Sequence, residues 1–297
     1  MKKPKKRYRV ARAIVFCAFI LLTCVGLATT SGTGTISAWG WDIISTICPL
    51  GALETALAGH RIVPRLLITL AVMIVVVLIV GKGFCAWACP APRLRSALTP
   101  KRTLNQELAD NAAAGEESYQ RNIRGEKPRR RILDSRHLVL AGTLGSSLAF
   151  GFPVFCLVCP VGLTFGTIIL LWRLLQFNQW TWAIVIFPVI VILEVVFLKR
   201  WCGSICPIGG LLSLISRGNV TLRPKVDSCA CLRNKGKHCV SCASACPEHI
   251  DVVADYGENS MNECVKCGRC IESCPAQAVS FKLLSLAKSS SAAEDNR

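Results

Sequence analysis

The stretch that decides the fold is CVKCGRCIESCP, which runs from Cys264 to Pro275. Its four cysteines, at positions 264, 267, 270 and 274, follow the pattern C-x2-C-x2-C-x3-C-P. Three closely spaced thiolates of this kind bind three irons of one [4Fe–4S] cube, and in two-cluster ferredoxins the fourth cysteine ligates the other cube. A zinc site draws four ligands from two pairs and does not need such a triplet. The motif therefore predicts iron–sulfur ligation.

A second, irregular motif lies just upstream, in CACLRNKGKHCVSCASACP at residues 229–247. The last three positions of the pattern are matched by Cys239, Cys242 and Cys246. Gly236 stands where the first cysteine is expected. Either Cys231 or Cys229 must supply the missing ligand, and the shorter return along the chain favours Cys231. A three-iron cluster is the other alternative for this site.

Exchange of the fourth ligands between the two motifs predicts two clusters in one small unit. The predicted ligands of the first cluster are Cys231, Cys239, Cys242 and Cys274. The predicted ligands of the second are Cys246, Cys264, Cys267 and Cys270. Two cubes held close together would form a path for single electrons.

The rest of the chain has the composition of a membrane protein. Hydrophobic residues make up 52% of it and charged residues only 18%, and several uncharged runs approach the about 20 residues that cross a bilayer. The net charge of +17 comes from basic residues that flank these runs, as in cytoplasmic loops, so we expect no nucleic-acid partner. Most of the 18 cysteines fall in C-x2-C and C-x3-C-P groups, which favours cluster ligation over disulfides in a long chain.

We expect an α-helical membrane protein with four transmembrane helices. The expected spans are residues 10–30, 66–81, one crossing within 138–172, and 180–198. Arg65 and Lys82 bound the second span and can reach out to the membrane surface. The basic N-terminal tail and the basic loop 91–136 are expected inside. If 138–172 crossed twice, the cysteine-rich tail would be exported. A single crossing, with 161–172 re-entrant or at the outer surface, keeps both termini cytoplasmic in a bacterial inner membrane.

The sequence predicts three parts. Residues 1–216 form the four-helix membrane domain, residues 217–285 a small α+β two-cluster ferredoxin-like domain, and residues 286–297 a disordered tail. The composition changes abruptly near Arg217, where charged and small polar residues return. The boundary is placed at that change.

The membrane domain contains a weak internal repeat. A Cys-Pro-x-Gly motif occurs at 48–51 and 159–162, and a C-x3-C-P motif at 85–90 and 202–207. On the expected topology the Cys-Pro-x-Gly motifs, with Cys48, Cys156 and Cys159, face the outside. The four cysteines of the C-x3-C-P motifs are then expected at the cytoplasmic face: Cys85, Cys89, Cys202 and Cys206. These four could hold a third cluster, form a redox-active dithiol, or pack as buried thiols.

An electron carrier on a membrane suggests quinol as its electron donor, and quinol oxidation releases protons. Glu194 interrupts an apolar span, which makes it a candidate proton acceptor; a salt bridge to Lys199 or Arg200 is the alternative. His137 begins the third span and is a second candidate, or it lies among the lipid headgroups. None of the four histidines is in mid-span, so a bis-histidine membrane haem is not expected.

The paired C-x3-C-P motifs, the CPLGALE stretch at 48–54 and the two-cluster tail together resemble the NapH/MauN family, over about residues 8–285. The resemblance implies a quinol dehydrogenase subunit of the cytoplasmic membrane. Such a subunit takes electrons from the quinol pool and passes them to a partner iron–sulfur subunit and a terminal reductase, periplasmic nitrate reductase being the best known. Other members accompany methylamine dehydrogenase, so an accessory role in maturing a partner enzyme is the alternative.

Overall fold

The computed structural model describes residues 7–28, 38–41, 44–47, 49–59, 64–126, 135–151, 155, 159–178, 180–197, 205–219, 221–256 and 259–284. These residues are mostly helical, and a small α+β unit with the cysteine-rich motifs follows a group of helices that ends near residue 215. The tail expected to be disordered, residues 286–297, lies outside the described residues.

Ten helices and one short hairpin are described in the part of the chain before residue 216. In chain order they are α1 Arg7–Ala28, β1 Ala38–Trp41, β2 Ile44–Ile47, α2 Pro49–Gly59, α3 Pro64–Val80, α4 Gly83–Trp87, α5 Ala91–Leu98, α6 Lys101–Ile123, α7 Ser135–Phe150, α8 Pro160–Phe177, α9 Ala183–Phe197 and α10 Pro207–Ile215. Strands β1 and β2 pair in antiparallel fashion.

The Cys-Pro pairs of the sequence repeat mark helix starts. Helices α2, α8 and α10 begin at Pro49, Pro160 and Pro207, and α5 follows Pro90. Proline suits the first helical position because the N–H that it lacks would have no partner within the helix. The cysteine before the proline is then the N-cap residue, as at Cys159 of α8 and Cys206 of α10.

The core of the bundle gathers these helix starts together. Its buried side chains are Leu50, Val77, Leu140, Phe155, Cys159, Ile208 and Leu212. Cys85 and Cys206 of the two C-x3-C-P motifs pack against the same core. Cys159, which the sequence places on the outer side of the membrane, packs in this core. Cys48 and Cys156 lie outside the described residues.

Several helices present apolar side chains outward. Large hydrophobic residues are exposed along α1, α3, α7, α8 and α9, among them Leu21, Ile68, Leu138, Leu175 and Ile186. Within the described residues, α8 alone is long and apolar enough to cross a membrane by itself. A second candidate is Leu70–Val80 together with Gly83–Leu98, a pair bent by 77°. Helix α9 is apolar but shorter, from Ala183 to Glu194.

The α+β unit is built around a two-stranded antiparallel sheet. Strand β3, Thr221–Val226, pairs with β4, Val279–Leu284, so that Val226 lies opposite Val279. Two short helices, α11 at Ser241–Ser244 and α12 at Arg269–Ser273, lie between the strands in sequence. The core of the unit contains the buried side chains of Cys242, Ile250, Val252, Met261 and Val279.

The α+β unit contacts distant parts of the bundle. At the start of α1, the Tyr8 ring packs edge-on against Phe281 with 5.7 Å between centroids, and the Arg9 amide donates to Glu272 at 3.0 Å. Helix α6 packs against α11. The beginning of α1, helix α6 and the cysteine-rich unit therefore lie at the same end of the bundle.

Candidate iron–sulfur centres

The first candidate site is a cavity of about 350 Å³, including its open mouth, beside α11. Four cysteines line it, namely Cys231, Cys239, Cys242 and Cys274. The rest of its wall is mainly apolar, with Val226, Leu232, Val253 and Val279 among the lining residues. A wall of this kind excludes water from whatever group the thiols hold.

The second candidate site is a cavity of about 380 Å³ between the C-x2-C-x2-C loop and the sheet. It too is lined by four cysteines: Cys246, Cys264, Cys267 and Cys270. Pro224, Ile250, Val265 and Phe281 contribute apolar surface, and Glu248 contributes a carboxylate. Each cavity thus takes three cysteines from one motif and one from the other, the arrangement that the motif spacing predicts.

The irregular motif reaches its cavity through a tight loop. Gly236, which stands where a cysteine is expected, has a φ of 75°, in the left-handed region that favours glycine. Its amide donates to Arg233 O at 3.1 Å, and the Lys235 amide donates to Cys231 O at 3.2 Å. This turn brings Cys231 into the buried cavity wall, whereas Cys229 is exposed. The geometry favours Cys231 over Cys229 as the fourth thiol.

The number of thiols in each cavity matches the four ligands of a [4Fe–4S] cube. Within the described part of the chain, no three His, Cys, Asp or Glu side chains converge closely enough to hold a single metal ion. In a [4Fe–4S] cube each cysteine binds a different iron, so the four thiols stand further apart. Burial raises the pKa of the Cys242 and Cys246 thiols to about 12. Bound iron would supply the positive charge that keeps such buried thiols ionised.

Helix α6 braces the loop of the first site. The Arg233 guanidinium pairs with the fully buried Asp251 at 2.6 Å and lies 4.7 Å above the ring of Tyr119 in α6. Ser118, also in α6, donates to the same Asp251 carboxylate at 3.3 Å. The Tyr119 ring stacks edge-on against His238 with 4.6 Å between centroids. The loop that carries Cys231 is therefore held by a helix more than 100 residues earlier.

A buried carboxylate joins the second site to the bundle. Glu263, directly before Cys264, accepts from Lys82 Nζ at 2.6 Å and from Arg136 at 2.8 Å, and Ser213 of α10 donates to its other oxygen. Burial by itself would raise the Glu263 pKa. The charge of Lys82 and the hydrogen bonds from Lys82 and Ser213 outweigh it and lower the pKa to about 2. Glu263 is thus an ionised, buried anchor.

Lys266, in the same loop, is also held by hydrogen bonds to the bundle. The Trp87 indole N–H, between Cys85 and Cys89 in sequence, donates to Lys266 O at 3.1 Å. The Lys266 ammonium, itself buried, donates to Asn219 Oδ1 at 3.0 Å. The Asn219 amide in turn donates to the carbonyl of Leu78 near the end of α3 at 2.6 Å. The cluster-binding loop and the end of α3 form one hydrogen-bonded assembly.

Two of the four C-x3-C-P cysteines, Cys85 and Cys206, pack against the same core of the bundle. Burial raises the pKa of both thiols, and the nearby charges of Lys82 and Arg136 partly oppose this rise. The Cys206 sulfur also accepts from the Gly209 amide at 3.5 Å. Cys89 is half-buried, and Cys202 lies outside the described residues. Cys85 and Cys206 are likewise half-buried, near the charged anchor of the second site.

The two residues predicted to handle protons lie on different helix pairs. Glu194 is buried in α9, which packs on α8 and α5, and both its carboxylate oxygens have no hydrogen-bond partner among the described residues. The alternative partners Lys199 and Arg200 lie outside those residues. His137 is buried at the start of α7, which packs on α2 and α10. The structure does not bring Glu194 and His137 to one place.

Sequence reasoning missed the charged anchor. Lys82 was expected to reach out to the membrane surface, but its side chain is only 2% exposed and pairs with Glu263; that expectation is wrong. Lys82 pairs with Glu263 instead, which lies 181 residues later in the chain. Both side chains are buried at this place, and an unpaired buried charge would cost free energy. The signal available in the sequence was the position of Lys82, three residues before a C-x3-C-P motif.

Comparison with protein families gives these sites a chemical class. A family model described as a 4Fe-4S binding domain matches residues 62–92 and 179–226, which include both C-x3-C-P motifs. A second model, also described as a 4Fe-4S binding domain, matches residues 260–280. The protein is an iron–sulfur electron-transfer protein.

Curated relatives extend the similarity over most of the chain. The chain is similar to the ferredoxin-type proteins NapH and MauN. NapH of Escherichia coli is 26% identical over 79% of this chain and 74% of its own length. NapH of Haemophilus influenzae is 25% identical over 81% and 76%, and the methylamine utilization protein MauN of Paracoccus denitrificans is 28% identical over 71% and 65%. The family resemblance seen in the sequence is confirmed. No solved structure matches significantly.

Proposed function

We propose that this protein is a membrane-bound iron–sulfur subunit that oxidises quinol and passes electrons to a partner iron–sulfur protein or terminal reductase. The observation that carries the proposal is the pair of cavities, each lined by four cysteines. They stand directly against a bundle whose helices expose apolar side chains. The similarity to NapH, which is named as a ferredoxin-type protein, also supports an electron-transfer role.

Some residues would hold the iron–sulfur cubes, and others fix the loops around them. A bound [4Fe–4S] cube accepts and releases one electron at a time. The thiols of Cys231, Cys239, Cys242 and Cys274 would hold one cube, and those of Cys246, Cys264, Cys267 and Cys270 the other. The apolar cavity walls exclude water, and Arg233 and Glu263 fix the two loops.

We place the helical domain, residues 1–216, in the bacterial inner membrane with four spans and both termini on the cytoplasmic side. The many exposed apolar side chains on these helices are unfavourable in water and suit a lipid environment. The contact of Tyr8 with Phe281 supports a common side for the beginning and the end of the chain. Residues 217–285 would form the cytoplasmic electron-transfer domain.

Quinol oxidation needs a proton acceptor as well as an electron acceptor, because each quinol releases two electrons and two protons. Glu194 is the candidate that the geometry favours, since its carboxylate is buried in an apolar helix and has no partner among the described residues. His137 is a second candidate, near the charged anchor through its neighbour Arg136. Electrons would leave one at a time through the two cysteine-lined sites.

The C-x3-C-P cysteines are candidates for a further redox site. The match of a 4Fe-4S family model to both motifs supports a third cluster held by Cys85, Cys89, Cys202 and Cys206. The packing of Cys85 and Cys206 against the same core is equally compatible with a redox-active dithiol. Iron and sulfide analysis separates the two: about eight irons per chain for two cubes, and about twelve for three.

The test of the proposal is reduction by a quinol analogue. The full chain, purified in detergent with its iron in place, is mixed anaerobically with a water-soluble quinol while the visible absorbance of the clusters is followed. Bleaching that dithionite also produces, and that a quinone analogue reverses, is the expected result. Clusters that dithionite bleaches and quinol never does would overturn the proposed electron donor.

A second candidate function is supply of electrons for maturing a partner enzyme. The observation that favours it is the similarity to MauN, which is named as a methylamine utilization protein. Deletion of the gene separates the two roles. Loss of quinol-dependent electron flow in membranes, with a fully matured partner enzyme, supports the first. Accumulation of an immature partner enzyme supports the second.

A further inference from the structure

The first turn of α1 lies against the outer side of the second cysteine-lined cavity. The Tyr8 ring packs edge-on against Phe281, with 5.7 Å between the ring centroids. The same ring approaches Gly268 so closely that a Cβ there would lie 2.5 Å from the nearest ring atom. Both Phe281 and Gly268 line the second cavity. One side chain of α1 therefore covers two residues of the cavity wall.

The close approach of the ring depends on the glycine. Gly268 has a φ of 73°, in the left-handed region that favours glycine, and any side chain at this position would displace the Tyr8 ring. Gly268 directly follows Cys267, which is buried and lines the second cavity. The ring therefore packs on the residue next to a thiol of the second site.

Hydrogen bonds hold the first turn of α1 in this place. Helix α1 packs against α12, and the Arg9 amide donates to the Glu272 carboxylate of α12 at 3.0 Å. An amide in the first turn of a helix has no acceptor within that helix, so Glu272 supplies the missing partner. Within α1, Arg12 Nε donates to the Tyr8 carbonyl at 3.2 Å. The turn that carries Tyr8 is thus fixed from two sides.

Helix α1 is held by the bundle as well as by the cluster-binding loop. The Arg93 guanidinium of α5 lies 4.7 Å from the centroid of the Phe16 ring in α1, and α1 packs against α4. Phe16 is eight residues beyond Tyr8, about 12 Å along the helix axis. The position of Tyr8 is therefore set by contacts of α1 on both sides of its first two turns.

We propose that Tyr8 is a positioning residue of the second cluster site, which closes that site from the outside and keeps water and dioxygen away from the bound cube. The apolar shell around a metal site controls the access of solvent to it. Dioxygen that reaches a cube takes one electron and becomes superoxide, and the oxidised cube then releases one ferrous ion. The inference rests on the proposed cube in this site, and it does not depend on quinol as the electron donor.

The test compares Tyr8→Ala with the unaltered full chain, both purified in detergent without dioxygen. Hydrogen–deuterium exchange in the peptide 264–273 measures opening of the second site. Samples exposed to air for increasing times are then reduced with dithionite, and their EPR signals measure the loss of each cube. Ligand variants Cys270→Ser and Cys239→Ser assign the signals to the second and first sites. No quinol is present, and iron analysis of the unaltered chain shows separately whether the cubes are there.

We expect Tyr8→Ala to exchange about tenfold faster in 264–273 and to lose the second EPR signal about tenfold faster in air, because the aromatic contact that keeps the site closed is gone. The first signal should decay as in the unaltered chain. Tyr8→Phe, which keeps the ring, and Val10→Ala, at a position of α1 that is 56% exposed, should behave like the unaltered chain.

A second variant keeps the proposal testable if Tyr8→Ala does not accumulate or lacks iron. Glu272→Ala removes the acceptor of the Arg9 amide, so it should change both measurements in the same direction, by about threefold. Unchanged exchange, unchanged loss of the second signal, or equally faster loss of both signals would overturn the proposal.

Discussion

Trp87 and Lys266 are joined by a 3.1 Å hydrogen bond from the indole N–H to the backbone carbonyl, across 179 residues of chain. One partner lies between the cysteines of a C-x3-C-P motif and the other between two cysteines of the C-x2-C-x2-C motif. The bond connects the two cysteine patterns physically. It fixes a peptide that carries two cluster-binding thiols against a helix of the bundle.

Removal of this bond should loosen the cluster loop without disturbing the bundle. Trp87→Phe keeps a ring but loses the donor, which typically costs about 1 kcal/mol. We expect faster hydrogen–deuterium exchange in the peptide that spans 262–268. Trp172→Phe is the matched control, because its indole donates to Gln176 on an exposed face of α8. Equal exchange in the two variants would show that the bond does not hold the loop.

The choice between two neighbouring cysteines gives a sharp test of the first site. Cys231 is buried in the cavity wall, whereas Cys229 is exposed. Cys231→Ser should lose iron from the first site or convert it to a three-iron cluster with a distinct EPR signal. Cys229→Ser should retain the iron content of the unaltered protein. The reverse pattern would assign the ligand to Cys229.

The buried Arg233–Asp251 pair should be essential to the first site. Asp251→Asn leaves the Arg233 guanidinium buried without its counter-charge, and breaking a buried pair from one side costs about 3–5 kcal/mol. Iron analysis should show loss of about one cube per chain, or four irons. Glu117→Gln removes an exposed partner of Arg121 in α6 and should change nothing measurable. Full iron content in Asp251→Asn would contradict the bracing role.

Close packing of α6 on the first site predicts an effect of a single methyl group. A Cβ at Gly115 would lie 2.6 Å from the Ser244 hydroxyl and 2.8 Å from its amide nitrogen. Gly115→Ala should therefore push α6 away from α11 and expose α6 to limited proteolysis. Gly142→Ala is the control, since a Cβ there meets nothing within 4 Å. Equal protease resistance of the two variants would count against this contact.

Replacement of Glu194 tests its role in quinol oxidation separately from its effect on stability. Its buried carboxylate has no hydrogen-bond partner among the described residues, so Glu194→Leu should leave the thermal midpoint equal or higher. The same change should slow cluster reduction by quinol at least tenfold while dithionite reduction is unaltered. The control is Glu126→Gln, which is exposed after α6. Normal quinol reduction in Glu194→Leu would remove Glu194 from the proton path.

The sequence anticipated the features that depend on short spacing. The crossed grouping of Cys246 and Cys274 follows from two motifs read side by side, and both cavities are lined accordingly. The sequence pattern did not predict helix α6, which is 23 residues long, and this region was interpreted only as a basic loop. A helix without an apolar stripe gives no clear periodic signal in the sequence. The sequence pattern also misplaced Lys82, whose surroundings are set by a residue far away in the chain.

By itself, the sequence determined the class of chemistry and the helix starts. Three cysteines within seven residues can meet a cube through local backbone turns. The prolines at 49, 160 and 207 suit the first position of a helix. Only the tertiary structure decided which cluster site adjoins the bundle. That choice depends on a carboxylate at 263 meeting a lysine 181 residues earlier. No local pattern encodes such a pair, because it forms only when the two parts of the chain pack together.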